Sequence, residues 1–190
     1  MIVRLVGSEM CIRDRYVPDY YRGIRKIRLS DGACLGTLAN LRYVRSLTVY
    51  ENSLIASSTL GTYSYNLSTG ASRRCSYQRS EFRYTFATTA SNNTLYSFYN
   101  RRFYSATLSD ESGTLCPRSN FRNFIDYNTY QAYGIAADPN QNDVIYVMDR
   151  SYNRMSKITM NSSRSGYTLN WRKGRYRYIC LLYTSDAADD

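Results

Sequence analysis

Four stretches of the chain repeat one short strand-like pattern, and each is followed by a small polar turn. They begin at Ile24, Thr62, Phe103 and Met155, so successive starts lie 38, 41 and 52 residues apart. These intervals are close to the ~40–45 residues that one blade of a β-propeller occupies. The repeat therefore predicts an all-β chain built from propeller blades.

The residues between these stretches support the same fold class. Short runs rich in Tyr, Ile, Val and Thr are bounded by Asn, Asp, Ser and Gly, which is the signature of strands and hairpins. We predict a partial β-propeller of about three complete four-stranded blades plus a remnant, with a partial blade at 16–40 and complete blades at 41–80, 82–120 and 130–174. Because closure usually takes roughly four to eight blades, we expect the intact protein to be longer.

The two ends of the chain differ from the repeat. The strings LVGSEMCIRDR at 5–15 and CLLYTSDAADD at 180–190 resemble translated sequencing adaptors read in opposite orientations. We therefore interpret 1–15 and 180–190 as adaptor-like arms around a propeller fragment at 16–179, and expect the arms to add no strand to the repeat. Two natural tails related by chance are the alternative.

The chain is strongly basic, with a net charge of +10. The first arm carries +1 and the second −3, which leaves +12 on residues 16–179. A basic excess favours anionic partners such as nucleic acid, acidic lipid or acidic protein surfaces. An arginine-rich surface that only faces solvent is the alternative.

The last of the four units has the most distinctive sequence. A glycine-led strand ends at Asp138-Pro139, a polar turn follows at 140–143, and the strand Val144 to Asp149 precedes an Asn-Arg pair at 153–154. This order resembles the NHL repeat, with matches at Gly134, Asp138, Tyr146, Asp149, Asn153 and Arg154. The resemblance implies a propeller fold. The blades at 41–80 and 82–120 lack the Asp and the Asn-Arg pair, so it implies no function.

Five polar residues are candidates for a binding site. Asp149, just past a strand, can accept hydrogen bonds from turn amides, and Arg154 can bridge neighbouring hairpins with its planar donor fork. In the alternative interpretation, Asp149, Arg150 and Arg154 face the mouth of the propeller and bind a ligand. Arg101 and Arg102 join this set because they stand among aromatic residues.

Catalytic chemistry finds little support in the sequence. The chain contains no histidine, which excludes a Ser-His-Asp triad or a His-ligated metal site within it. We predict no catalytic residue, no metal site and no cofactor, and hence no enzyme. A metal-dependent, lactonase-like hydrolase is an alternative only if its ligands lie in blades outside this chain.

Three cysteines outside the arms, Cys34, Cys75 and Cys116, recur at intervals of 41 residues. We expect such positions in successive blades to lie beyond the ~7 Å Cα separation that a disulfide tolerates. The prediction is that they are unpaired, small apolar fillers of outer strands.

These observations favour a non-catalytic recognition scaffold that binds a protein or a small ligand. The alternative is single-stranded RNA binding, because arginine neutralises phosphate and aromatic faces stack bases, and the two residue types interleave at 20–22, 99–104 and 171–178. No apolar run approaches the ~20 residues of a membrane span. Compartment and oligomeric state are undetermined.

Overall fold

A computed structural model describes residues 6–7, 14–76, 82, 85, 87–99, 102–118, 122–124, 132–149, 154–162 and 166–174. These residues form four antiparallel sheets, numbered one to four along the chain. Within each sheet the strands follow one another in chain order, as in a series of hairpins.

The strands of sheets one and two are β1 (Val6–Gly7), β2 (Asp14–Asp19), β3 (Gly23–Arg28), β4 (Cys34–Ala39), β5 (Val44–Tyr50), β6 (Ser53–Ser58), β7 (Gly61–Asn66) and β8 (Ser72–Arg74). Sheet three contains β9 (Thr88–Ser91), β10 (Thr94–Tyr99), β11 (Arg102–Asp110), β12 (Leu115–Pro117) and β13 (Arg122–Phe124). Sheet four contains β14 (Ala132–Ala137), β15 (Val144–Asp149), β16 (Arg154–Met160) and β17 (Tyr167–Lys173). In sheet three, β13 is a fifth strand that pairs with β11.

The predicted all-β partial propeller is confirmed. Sheet three extends past the expected bound of its blade at residue 120, because β13 pairs with β11. Sheet one is more complete than the partial blade expected at 16–40, because it has four strands, β1 to β4. Val6 pairs with Tyr16 and Gly7 with Arg15. The expectation that residues 1–15 add no strand is therefore wrong, since backbone hydrogen bonding to β3 extends β2 across the assumed boundary at residue 15. Residues 180–190 lie outside the described residues.

The hydrophobic core lies between the sheets, in three layers. Tyr16, Ile24, Leu54 and Ala56 belong to the layer between sheets one and two. The next layer, between sheets two and three, contains Ile55, Leu95, Tyr104 and Leu108.

 The third layer, between sheets three and four, contains Tyr96, Phe98, Phe103, Ile145 and Val147. Neighbouring residues of one strand thus face two different sheets, which explains why every residue of β6 is buried.

The first strands of sheets two, three and four are joined by buried hydroxyl groups. The Thr88 hydroxyl lies 2.7 Å from the hydroxyls of both Ser46 and Thr48, and the Thr88 backbone N–H donates to Ser46 Oγ at 2.9 Å. The Ala137 N–H donates to Thr89 Oγ1 at 2.8 Å. These bonds satisfy polar groups that would be costly to bury alone, so they hold the sheets in register.

A disulfide joins Cys75 to Cys116, with the Cα atoms 5.5 Å apart. The prediction that these cysteines are unpaired is wrong. Their equal spacing does not make them equivalent, because Cys75 bonds to Thr62 near the start of β7 while Cys116 pairs with Ser109 near the end of β11. Strand β12 packs against β6 and β7 of sheet two, which brings the two cysteines together. Cys34, in the outer strand β4, is exposed rather than a buried filler.

Tyr65 gives the fold a testable dependence on alkaline pH. Burial, with a smaller effect from Tyr63, raises the pKa of Tyr65 to about 12. Because an unfolded tyrosine ionises near pH ~10, the stabilisation is fully present below that pH and is lost as the pH rises through the folded pKa. We expect the Tyr65→Phe variant to lose less stability than the wild type in urea unfolding as the pH is raised from about 9 to about 11.5. The exposed Tyr21→Phe serves as the control, and equal alkaline losses in Tyr65→Phe and the wild type would contradict the prediction.

Candidate functional site

The sheets have two edges of different character. At the loop edge, the second strand of each sheet connects to the third, as at 20–22 and 59–60, and the last strand leads to the next sheet, as at 40–43. At the turn edge, the first strand connects to the second and the third to the fourth, as at 51–52 and 67–71.

Three tyrosines cluster at the loop edge of sheets one and two. The ring of Tyr20 makes edge-to-face contacts with Tyr21, at 5.1 Å between centroids, and with Tyr43, at 5.2 Å. Tyr21 is 72% exposed. Aromatic surface that is held in place but open to solvent is typical of binding sites, because it loses little conformational entropy on contact.

The backbone at Tyr43 is strained. Its φ is 60°, in the left-handed region that a bulky side chain rarely adopts. The conformation is held by the Tyr43 N–H, which donates to the Tyr20 carbonyl at 2.7 Å, and by the Thr59 N–H, which donates to the Tyr43 carbonyl at 3.3 Å. Such strain costs on the order of 1–3 kcal/mol and is concentrated at functional sites.

Leu60 and two arginines lie, like the tyrosines, in the loop-edge connections of sheets one and two. The Ser58 hydroxyl donates to the Arg42 carbonyl at 2.8 Å and accepts the Leu60 N–H at 3.1 Å, which ties the 40–43 connection to the 59–60 turn. Leu60 is 46% exposed. Arg22 and Arg42 are also exposed. The surface therefore offers apolar, aromatic and cationic groups side by side.

Asp19 begins the turn that carries Tyr21 and Arg22. Its Oδ1 accepts the backbone N–H groups of both residues at 3.0 Å. These bonds, that of Arg22 first, lower the pKa of the Asp19 carboxyl. The carboxylate thus fixes the turn, as Asx turns do.

The residues singled out from the sequence are only partly brought together. Arg102 is exposed at the start of β11, and Asp149 and Arg154 face each other across one hairpin, all at the loop edge. Arg154 Nε donates to Asp149 Oδ2 at 3.1 Å, and the two side chains are 15% and 0% exposed. Arg101 and Arg150 lie outside the described residues. The burial of the Asp149–Arg154 pair favours the structural interpretation of these two residues.

The turn edge is occupied by bonds between sheets. Tyr50 Oη accepts the Asn93 N–H at 2.7 Å, and Asn66 Nδ2 donates to the Gly113 carbonyl at 2.8 Å, both between sheets two and three. Between sheets three and four, Tyr96 Oη donates to Asp143 Oδ1 at 2.8 Å. The polar side chains of this edge therefore stabilise the stack of sheets.

Charge is divided between the two edges. Within the described ranges, the carboxylates at or next to turn-edge connections are Asp31, Glu51, Asp110, Glu111, Asp138 and Asp143. At the loop edge the described cations are Arg22, Arg42, Arg102, Arg154 and Lys173, with Asp19 and Asp149 as the carboxylates. The turn edge also carries Arg28, Arg73 and Arg118, which pair with Asp31 or Glu111. Cations outnumber carboxylates at the loop edge and not at the turn edge, so the loop edge is the more basic of the two.

Neither a metal cluster nor a membrane span is found in the part of the chain that the structure describes. No three His, Cys, Asp or Glu side chains there are grouped so that they could hold a metal ion. No helix among the same residues is long and apolar enough to cross a membrane.

The sequence pointed to part of the tyrosine cluster and missed the rest. The string Tyr20-Tyr21-Arg22 stood out through its composition. Tyr43 and Leu60 did not, because Tyr43 reaches the cluster through an unusual backbone conformation and Leu60 lies in a short turn of another sheet. The short connection at 59–60 is the sequence signal that could have placed Leu60 at an edge of the sheet.

No family model matches the chain, and no curated protein resembles it in sequence. Its structure is similar to the WD40 β-propeller domain of Doa1, with a TM-score of 0.55 and 16% identity over 85% of this chain and 52% of that chain. The fold is a partial β-propeller. The structure is also similar to U3-55K, with a TM-score of 0.51 and 11% identity over 84% of this chain and 50% of that one.

The chain spans about half the length of these two structures. At such low identities the similarity establishes the propeller fold and carries no function. The NHL resemblance of 133–158 stays a prediction.

Proposed function

We propose that the chain is a non-catalytic recognition scaffold that binds a protein partner through its loop edge. The observation that carries the proposal is the contrast between the edges. Several turn-edge side chains are used in bonds between sheets. Both edges have an exposed leucine, Leu29 at the turn edge and Leu60 at the loop edge, but the loop edge adds the strongly exposed aromatic ring of Tyr21. Exposed aromatic and arginine side chains are enriched where proteins bind one another.

Site-specific photo-crosslinking tests this proposal. A photoreactive phenylalanine derivative is placed at Tyr21 or at Arg102, and in a matched control at the exposed turn-edge residue Ser68. We expect extracts of the source cells to give protein adducts from both loop-edge positions and not from Ser68. The same adducts from all three positions would show non-specific contact and would contradict the proposal.

Single-stranded RNA is a second candidate partner, because the loop edge is basic and carries aromatic rings. In this case the logarithm of the binding constant for a labelled oligonucleotide must fall linearly with the logarithm of the salt concentration. An Arg102→Ala variant must then bind more weakly than an Arg28→Ala variant at the turn edge. Equal, weak binding by both would leave the basic charge as a general surface property.

A further inference from the structure

We infer that the loop edge of sheets one and two binds an extended peptide in which carboxylates flank an apolar side chain. The surface, here called the tyrosine patch, consists of Tyr20, Tyr21, Arg22, Arg42, Tyr43 and Leu60. The inference rests on the proposed function, because it takes the loop edge as the binding surface and names the chemistry of the partner.

Charge complementarity selects an acidic partner. Arg22 and Arg42 flank the tyrosines and are exposed, and the loop edge as a whole has more cations than carboxylates. The planar guanidinium group binds carboxylates with two parallel hydrogen bonds. The turn edge is less suited to such a partner, because Arg28 and Arg73 are already paired with carboxylates there.

Leu60 favours a peptide over a nucleic acid. Its side chain is 46% exposed in the turn whose Thr59 N–H bonds to Tyr43. A leucine offers no donor to a phosphate and no π-face to a base, but it packs well against an apolar side chain. A nucleic acid would also need several phosphate contacts for useful affinity, whereas the patch has two arginines.

The strain at Tyr43 indicates that the patch is prepared before binding. Asparagine or glycine would adopt a φ of 60° at lower cost than tyrosine. The tyrosine ring nevertheless occupies this position and packs against Tyr20. A ring fixed in advance lowers the entropy cost of binding.

Fluorescence anisotropy with labelled peptides of about ten residues tests the inference. The probe peptide has Asp-Glu pairs on both sides of a single Leu, and the matched peptides carry Lys in place of the acids or Ser in place of the Leu. We expect the full chain to bind the probe at least about tenfold more tightly than either matched peptide, a difference of ~1.4 kcal/mol. The preference over the Lys peptide must shrink as salt is raised.

Two variants separate binding from folding. Tyr43→Asn keeps a residue that tolerates the left-handed backbone, so thermal stability should stay equal or rise while probe affinity falls several-fold. The double variant Arg22→Gln/Arg42→Gln should abolish the salt dependence of the preference for the acidic probe. The turn-edge control Arg28→Gln should keep this dependence. Equal binding of the three peptides, or full affinity in Tyr43→Asn, would overturn the inference.

The outcome is distinguishable from a failure of the proposed function. If photo-crosslinking from Tyr21 yields a protein partner but the acidic probe does not bind, the scaffold proposal stands and the peptide chemistry is wrong. If a single-stranded oligonucleotide binds the patch and the probe does not, the inference is overturned in favour of nucleic acid.

Discussion

Replacing Cys75 and Cys116 by alanine is expected to lower the free energy of unfolding by about 2–4 kcal/mol. The disulfide links residues 41 positions apart and joins sheet two to sheet three. Its loss restores conformational freedom to the unfolded chain, and the larger the closed loop, the larger this effect. Both cysteines are also buried, at 2% and 0% exposure, so their sulfur atoms contribute to packing.

Urea unfolding of the wild type and of the Cys75→Ala/Cys116→Ala variant measures the effect. Adding a reductant should destabilise the wild type and leave the double variant unchanged. Cys34→Ala, which alters an exposed and free cysteine, is the matched control and should be close to neutral. Equal stabilities of wild type and double variant would contradict the prediction, as would thiol titration that finds no difference between reduced and untreated protein.

The disulfide also bears on where the protein matures. Structural disulfides form and persist in oxidising compartments and are rare in the reducing cytosol. If the bond contributes the expected stability, a protein made under reducing conditions should be recovered with a lower midpoint of unfolding. Expression with and without an oxidising folding environment makes this comparison directly.

Arg154→Met is expected to lower the free energy of unfolding by about 3–5 kcal/mol, because it removes the ion-pair partner of a buried carboxylate. The Asp149 side chain has no exposed surface, and the Arg154 guanidinium lies 3.1 Å from it. A buried carboxylate that loses its ion-pair partner loses part of the compensation for its lost hydration. The double variant Asp149→Leu/Arg154→Met should recover much of this loss, since replacing both partners by apolar groups is often nearly neutral.

Thermal or urea unfolding of the single and double variants checks this prediction. Arg102→Met, which changes an exposed arginine of the same edge, should alter stability by less than about 0.5 kcal/mol. If Arg154→Met proves as mild as Arg102→Met, the pair has no structural role. Its position at the loop edge would then favour the alternative interpretation, in which Asp149 and Arg154 bind a ligand.

Much of the architecture follows from local sequence. The residues Val44 to Tyr50 alternate in polarity and are followed by the polar residues Glu51 and Asn52, a local hairpin signal, and the structure has a strand at Val44–Tyr50. The repeat intervals likewise indicated a series of antiparallel sheets. Hairpins of this kind are determined by turn residues and by side chains that lie near one another in the chain. They can therefore be predicted without knowing the tertiary structure.

The relations between sheets could not be predicted in this way. The pairing of Cys75 with Cys116, the contact of Tyr43 with Tyr20 and the division of charge between the two edges all depend on how separate hairpins pack. Each sheet is positioned by interlayer contacts such as those of Tyr96 and Phe98 with Ile145 and Val147. The repeat by itself therefore determined that the chain forms successive four-stranded sheets. The candidate binding surface was decided by packing between residues far apart in sequence, because only close-packed side chains fix the distance and orientation of one sheet relative to the next.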